Sequence, residues 1–339
     1  MKSFYKDKII MVTGASGSVG SALVSKLLGL GVKELRCIDI NEEHMFQMDG
    51  NYSDEPRFQS FVCNVTDEFL IPRLMENVDY VIHAAALKHV PSCERSPETA
   101  INTNILGVQN IIRSARLTKV KKVLFTSSDK AVNPTNVMGT TKLMGERLIT
   151  AANLLSIGDN APVFFSTRFG NVAGSSGSVI PVFKKQIESG KPVTLTHPQM
   201  SRFMMSLEES IVLILKSLMT GMGGEIFITK MPVFRILSLA KTMVEILREG
   251  NSDIGDVEIK TIGIRPGEKL FEELMTPEEQ VRSFEMDDMF VVLPAHKSMY
   301  DSSLYKKYQS LPSPDRPYIS KEEPEADKAV LRTLINKLL

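Results

Sequence analysis

Ile9-Ile-Met-Val-Thr-Gly-Ala-Ser-Gly-Ser-Val-Gly20 runs from a β-branched stretch through three glycines into a segment with helix-compatible apolar spacing. Ile9 to Val12 reads as a strand and Ser18 to Leu30 as a helix that Gly31 stops. Gly14, Gly17 and Gly20 lack side chains where phosphate oxygens must come close, so the turn, with Ser16, Ser18 and Val19, can set backbone N–H groups and a helix N-terminus against a pyrophosphate. The spacing differs from GxGxxG, so the weight of the signal lies in its place at the first strand-to-helix junction. A tight turn holding no ligand is the plain alternative. Asp39 ends the second apparent strand, nineteen residues after Gly20. A carboxylate there accepts from ribose hydroxyls and repels a 2′-phosphate, which favours NAD; Arg36 and Lys33 nearby leave NADP open.

Outward from that turn, strand-like runs recur at Glu34–Asp39, Phe58–Val65, Asp79–Ala85 and Lys122–Ser127, with helical patterns between most of them, notably Glu98–Ala115 and Thr140–Leu155. Parallel neighbours cannot be joined by tight hairpins, so the alternation predicts an α/β, doubly wound parallel sheet of Rossmann type. The rhythm weakens after about residue 172. Gly170 to Ser178 is rich in small residues and reads as a loop, at a ligand or as a mere connector. A helix at Leu207–Met219, a strand at Glu225–Thr229, a helix at Leu237–Arg248 and a strand at Val257–Ile262 then suggest a smaller α/β cap interleaved with the main sheet. The expected division is a cofactor domain over 1–172, with 205–235 returning to it. A cap follows over 173–204 and 236–295, then a tail over 296–339 that ends in a helix from Asp327.

The chain has 339 residues, 43% of them hydrophobic and 24% charged, which excludes a mainly disordered or fibrous protein. Lys+Arg and Asp+Glu are both 40, so no overall positive field recruits nucleic acid or an anionic membrane, and any anion must be caught locally. Cys37, Cys63 and Cys93 show no CxxC spacing, and no apolar run approaches the roughly 18 residues of a membrane span. The opening shows no signal-peptide core. A cytoplasmic, reducing location is expected. The five histidines form no metal-ligand run, and no GxSxG elbow occurs.

Six motifs occur in one order: TGASGSVG, HAAALKHVP, SSDKAVNPTNVMGTTK, RFGNV, SRF and IRPGEK. Together, over about residues 5 to 295, they resemble the extended short-chain dehydrogenase/reductases of polysaccharide biosynthesis, and within these the nucleotide-sugar 4,6-dehydratases acting on UDP-N-acetylglucosamine or a close analogue. The resemblance implies a tightly held NAD(P)⁺, oxidation of the sugar at C4, loss of water across C5 and C6, and return of hydride to C6. A C4 ketone acidifies the C5 proton, and protonating the C6 hydroxyl makes water a viable leaving group.

By the same resemblance Ser128 hydrogen-bonds the C4 hydroxyl, Asp129 protonates the departing C6 oxygen and Lys130 removes the C5 proton. That last role requires a neutral amine, which burial or neighbouring positive charge can supply. Met138 and Lys142 have the spacing of the superfamily's Tyr-x-x-x-Lys pair, on one helical face. A thioether exchanges no proton, so Asp129, used twice, or an ordered water replaces the phenol, while Lys142 can still bind the nicotinamide ribose. Some relatives in this group share the methionine; core filling is its bland reading.

Asn64, Val65, Ala84 and Ala85 fall along the cofactor in this resemblance, with Asn104 ordering it and Lys88 facing the pyrophosphate or nicotinamide. His83 reads as structural. Asn171, Arg202, Arg265 and Glu268 resemble a clamp on a nucleotide diphosphate, to which guanidinium groups offer fixed donors. Open alternatives are a GDP-linked sugar, inversion rather than retention at C5, a nucleotide-sugar epimerase, and a non-enzymatic dinucleotide sensor. A homo-oligomer paired through Glu98–Ala115 and Thr140–Leu155 is expected.

Overall fold

The computed structural model describes residues 1–155, 158, 160–175, 177–252, 254–296 and 303–339. Ser176 of the expected loop and residues 297–302 of the expected tail lie outside the described residues. The opening run forms β1 (Ile9–Thr13), followed by β2 (Glu34–Asp39), β3 (Phe58–Val62), β4 (Tyr80–His83), β5 (Lys122–Ser128) and β6 (Val163–Phe169). These stand in the order β3-β2-β1-β4-β5-β6, all parallel, and the parallel strand Ile226–Thr229 adds to β6. The order reverses between β1 and β4, the switch point at which open α/β sheets bind their ligands.

Side chains alternate across β1, β4 and β5 and fill two cores. Ile10, Val12, Ile82 and Leu124 pack on one face with Leu23 and Leu27 of the helix Ser18–Gly29 and Ile211 and Leu215 of the helix Leu207–Thr220. Met11, Val81, Val123 and Phe125 pack on the other with Val108 and Ile111 of the helix Gly107–Leu117 and Ile149 of the helix Val137–Leu154. A sheet covered on both faces explains why its strands read as apolar runs. On that second face Leu117 and Leu155 are exposed beside a groove lined by Ile112, Leu148 and Arg116.

Two expectations need correction. The helix expected over Glu98–Ala115 is instead Pro97–Ile101, a π-helical turn Asn102–Leu106, and Gly107–Leu117. The buried Asn104 sits in that turn and bonds outside the helix, and π turns of this kind gather at functional positions. Residues 236–295 were expected in the cap, yet Ser283–Glu285 and Met289–Val292 run antiparallel on the edge of the main sheet. Elsewhere in the second half, the helices Val179–Glu188, Ile236–Gly250 and Lys328–Asn336 share a separate core. Tyr318–Ile319 of the tail pairs with Glu273–Met275.

Sequence reading missed β6 because Ser166, Thr167 and Arg168 interrupt its apolar run while being buried themselves. Arg168 lies between two buried carboxylates: Nε and Nη2 donate to Glu146 at 3.0 and 2.6 Å, and Nη1 and Nη2 to Glu279 at 2.9 and 3.1 Å. It ties the sheet to the helix Val137–Leu154, which carries Met138 and Lys142, and to the segment after Met275.

Candidate active site

Gly14 has φ +70°, and a Cβ there would lie 2.6 Å from the Ala85 nitrogen; one on Gly20 would lie 2.0 Å from the Gly14 oxygen. These two glycines fold the turn onto itself and onto the end of β4. Gly17 meets only the Gly14 oxygen, at 3.3 Å, and is exposed, so it forms the open lip of the turn. The helix behind it starts at Ser18 with no side-chain cap and no acidic residue in its first turn. Its N–H groups and positive end therefore suit a phosphate. Val19 packs half-buried on the core, and Ser18 accepts from Ser21 at 3.3 Å. Asp39 accepts from the Ser16 N–H through Oδ2 and from the Asn41 N–H through Oδ1, both at 3.1 Å, which leaves lone pairs on both oxygens. Arg36 points away, bound to Glu34 and to the carbonyls of Leu74 and Glu76.

The remaining residues expected along a cofactor gather at the same sheet edge. Ala84 and Ala85 donate to the Thr13 carbonyl and hydroxyl at 3.2 and 3.3 Å. Asn64 is exposed, its Oδ1 accepting from the Thr66 N–H, and Val65 is buried with its carbonyl held by Asn110 at 2.8 Å. Lys88 is exposed. Asn104 accepts from the Leu87 N–H at 2.8 Å and donates to the Leu87 carbonyl and the Thr141 hydroxyl at 3.0 Å. It thereby fixes the 84–88 loop against the helix of Met138 and Lys142.

His83 is fully buried: Nδ1 faces the Thr13 hydroxyl at 2.7 Å, and Nε2 has no partner among the described residues. Burial, with the Lys142 charge, pushes its pKa down to about 3. The unfolded chain binds a proton below about 6.5 and the folded chain does not, so stability should fall as pH drops from 6.5 towards 3, by about 1.4 kcal/mol per unit. In urea unfolding at pH 7 and pH 5, the wild type should lose about 2 kcal/mol more than His83→Gln. Equal losses would contradict this assignment.

β5 ends by delivering Ser128, Asp129 and Lys130 to the site. Asp129 is 0% exposed; its Oδ1 accepts from Ser128 Oγ at 2.6 Å, the Lys130 N–H at 2.9 Å and Lys130 Nζ at 3.0 Å. Oδ2 has no partner among the described residues. Burial alone would raise the Asp129 pKa, but the Lys130 charge and the Ser128 hydrogen bond outweigh it and hold the carboxyl below its usual range. Lys130 Nζ also reaches Asn171 Oδ1 at 3.4 Å, which joins that expected clamp residue to the β5 turn.

The neutral amine expected at Lys130 is not what the structure favours. Burial works against the ammonium, but the anions Asp129 and Glu272 prevail and raise the Lys130 pKa above the ordinary lysine value. Lys142, by contrast, is buried, donates to the Thr126 carbonyl at 2.9 Å, lies 4.7 Å from the Phe125 ring centre and is pushed down to about 8 by burial. Met138, expected among the catalytic residues, is 4% exposed and packed with Cys93 and Ala100, so it serves as wall and core.

The diphosphate clamp is only partly assembled. Arg202 is buried and donates to the carbonyls of Ser201 and Lys269 at 2.8 Å and of Leu270 at 3.4 Å, with Glu272 Oε1 at 3.4 Å from Nε. With the Met200 sulfur as a further partner, its donors are spent within the protein. Arg265 is exposed; its N–H donates to Glu268 Oε2 at 3.2 Å, and Glu268 Oε1 accepts from the Thr196 hydroxyl at 3.2 Å. Sequence reasoning missed Glu272 because its partners lie on distant segments. Among the described residues no group of three or more His, Cys, Asp or Glu side chains is placed to hold a metal.

A doubly wound sheet with a glycine turn on its first strand and a Ser-Asp-Lys cluster on its fifth has the architecture of the extended short-chain dehydrogenase/reductases. The chain belongs to the family described as "Polysaccharide biosynthesis protein", which matches residues 10–294. A Methanocaldococcus jannaschii protein described as an uncharacterized membrane protein is 48% identical over 295 residues, 87% of this chain and 88% of that one. Among the described residues of the present chain no helix is long and apolar enough to cross a membrane. A UDP-glucose 4-epimerase of Rickettsia conorii is 40% identical, covering 84% of this chain and 83% of its own. Among solved structures, the X-ray structure of Pen from Bacillus thuringiensis superposes with TM-score 0.90 at 38% identity over 98% of both chains.

Proposed function

We propose that the chain is a nicotinamide-dependent nucleotide-sugar 4,6-dehydratase that takes UDP-N-acetylglucosamine to a 4-keto-6-deoxy sugar with retention at C5. The observation that carries this is the Ser128–Asp129–Lys130 cluster beside a tyrosine position filled by Met138. The glycine turn and the uncapped helix start would hold a dinucleotide pyrophosphate, Asp39 its adenosine ribose and Lys142 its nicotinamide ribose; the engagement of Arg36 elsewhere favours NAD over NADP. When bound, that group accepts and returns a hydride. Ser128 orients the C4 hydroxyl, and Asp129 Oδ2, the oxygen left open, takes its proton. Asp129 then passes this proton to the leaving C6 oxygen, while Lys130 removes the C5 proton that the ketone has acidified and later restores it.

Because Lys130 rests as an ammonium, kcat/KM should rise with pH through the alkaline range as more of it is neutral, by up to about tenfold per unit. A flat or falling profile between pH 7 and 9 would transfer the base role to Asp129 and the acid role to the Lys130 ammonium.

A second reading is a 4-epimerase, which the Rickettsia relatives favour. Epimerisation at C4 does not touch C5, so turnover in deuterated water separates the two. Deuterium at C5 of a new product supports the dehydratase; an epimer free of deuterium supports the alternative.

A further inference from the structure

The segment after Gly267 folds back over the turn that follows β5: Lys269 Nζ donates to the Val132 carbonyl at 2.7 Å and Asn133 Nδ2 to Glu273 Oε1 at 3.1 Å. This brings a second carboxylate, Glu272, to the centre. It is 3% exposed, Oε1 lies 3.4 Å from Arg202 Nε, and Oε2 has no partner among the described residues. Its backbone N–H donates to Ser320 Oγ at 2.9 Å, so the tail fastens it in place. Neither the glycine turn nor the proton transfers assigned to Asp129 and Lys130 account for a carboxylate buried here.

We propose that Glu272 is a positioning residue of the proton-transfer centre, its carboxylate fixing the charge that Lys130 carries. The charged groups facing it are Asp129 and Lys130 from the turn after β5, Arg202 from the strand Ser201–Met205, and Lys269 in its own segment. Arg202 spends its other donors on carbonyls and on the Met200 sulfur, so it neutralises Glu272 from one side only. Two anions thus bear on Lys130, and both raise its affinity for a proton, as Asp129 raises that of Glu272 after burial has done so. Buried like charges near one another need a cation close by, and that cation is held charged in return. In the resting enzyme Glu272 keeps Lys130 loaded; neutralising Glu272 should unload it at lower pH.

The functional meaning rests on the dehydratase reading, but the charge of Lys130 can be measured without turnover. Lys130 is 28% exposed, so trace acetylation with acetic anhydride, read by peptide mass spectrometry, follows its neutral fraction in the full chain. In Glu272→Gln, Lys130 should label about five- to tenfold faster at pH 8 than in wild type. Glu272→Asp, which keeps the charge, should label within about twofold of wild type. Glu272→Ala provides a second neutral variant should the glutamine chain not fold. In turnover, the alkaline rise of kcat/KM should move to lower pH in the neutral variants. Wild-type labelling of Lys130 in a folded neutral variant, or glutamine-like labelling in Glu272→Asp, overturns the proposal. A wild type that makes no dehydrated sugar while its labelling responds as expected defeats the reaction reading and leaves this one standing.

Discussion

Asp129→Asn should lower turnover of UDP-N-acetylglucosamine by about a thousandfold or more while nucleotide binding changes by no more than a few-fold. Asparagine keeps the size of the side chain and can still accept from Ser128 and Lys130, so the turn stays folded. It cannot take a proton from the C4 hydroxyl or deliver one to the C6 oxygen. Loss of one positioned acid or base costs about 10²- to 10⁴-fold, and here a single group serves two steps. With Asp129 neutral, Lys130 also loses its nearer anion. Met138→Leu should be mild by comparison, since a buried thioether walled in by Cys93 and Ala100 gives up only shape, at under about 1.5 kcal/mol. Steady-state kinetics with nucleotide titration checks both, and an Asp129→Asn enzyme of near-normal turnover would remove the proposed mechanism.

Arg168→Met should destabilise the fold by about 3 to 5 kcal/mol, because it leaves Glu146 and Glu279 charged, buried and without their cation. The triple variant Glu146→Leu, Arg168→Met, Glu279→Leu should recover most of the loss, since well-packed apolar groups of similar volume replace buried ion groups at little cost. Urea unfolding measures both. An Arg168→Met chain within about 1 kcal/mol of wild type would mean that the two carboxylates are neutral or hydrated in the fold.

Those two residues mark what local sequence shows and what it hides. The glycine turn, β2 and β5 could be read because their signals are contiguous: three glycines at a strand end, an acidic residue closing the next strand, Ser-Asp-Lys closing another. Arg168 could not, because a charged residue inside a strand breaks the apolar run, and its two carboxylates lie 22 and 111 residues away. Glu272 was hidden for the same reason, as one of many acidic residues until the fold sets it against Arg202 and the β5 turn. The charge of Lys130 and the spent donors of Arg202 are likewise properties of neighbours rather than of motifs. Asn104 stands between these cases. The resemblance gave it a part in ordering the cofactor, but the π-helical turn that aims it at Leu87 and Thr141 leaves no mark in a helical apolar pattern.

The most direct test of the central claim is the mass of the sugar nucleotide after the enzyme is incubated with UDP-N-acetylglucosamine and catalytic NAD. The account predicts a product lighter by one water, with no net accumulation of reduced cofactor. A product of unchanged mass with an altered sugar configuration would contradict it.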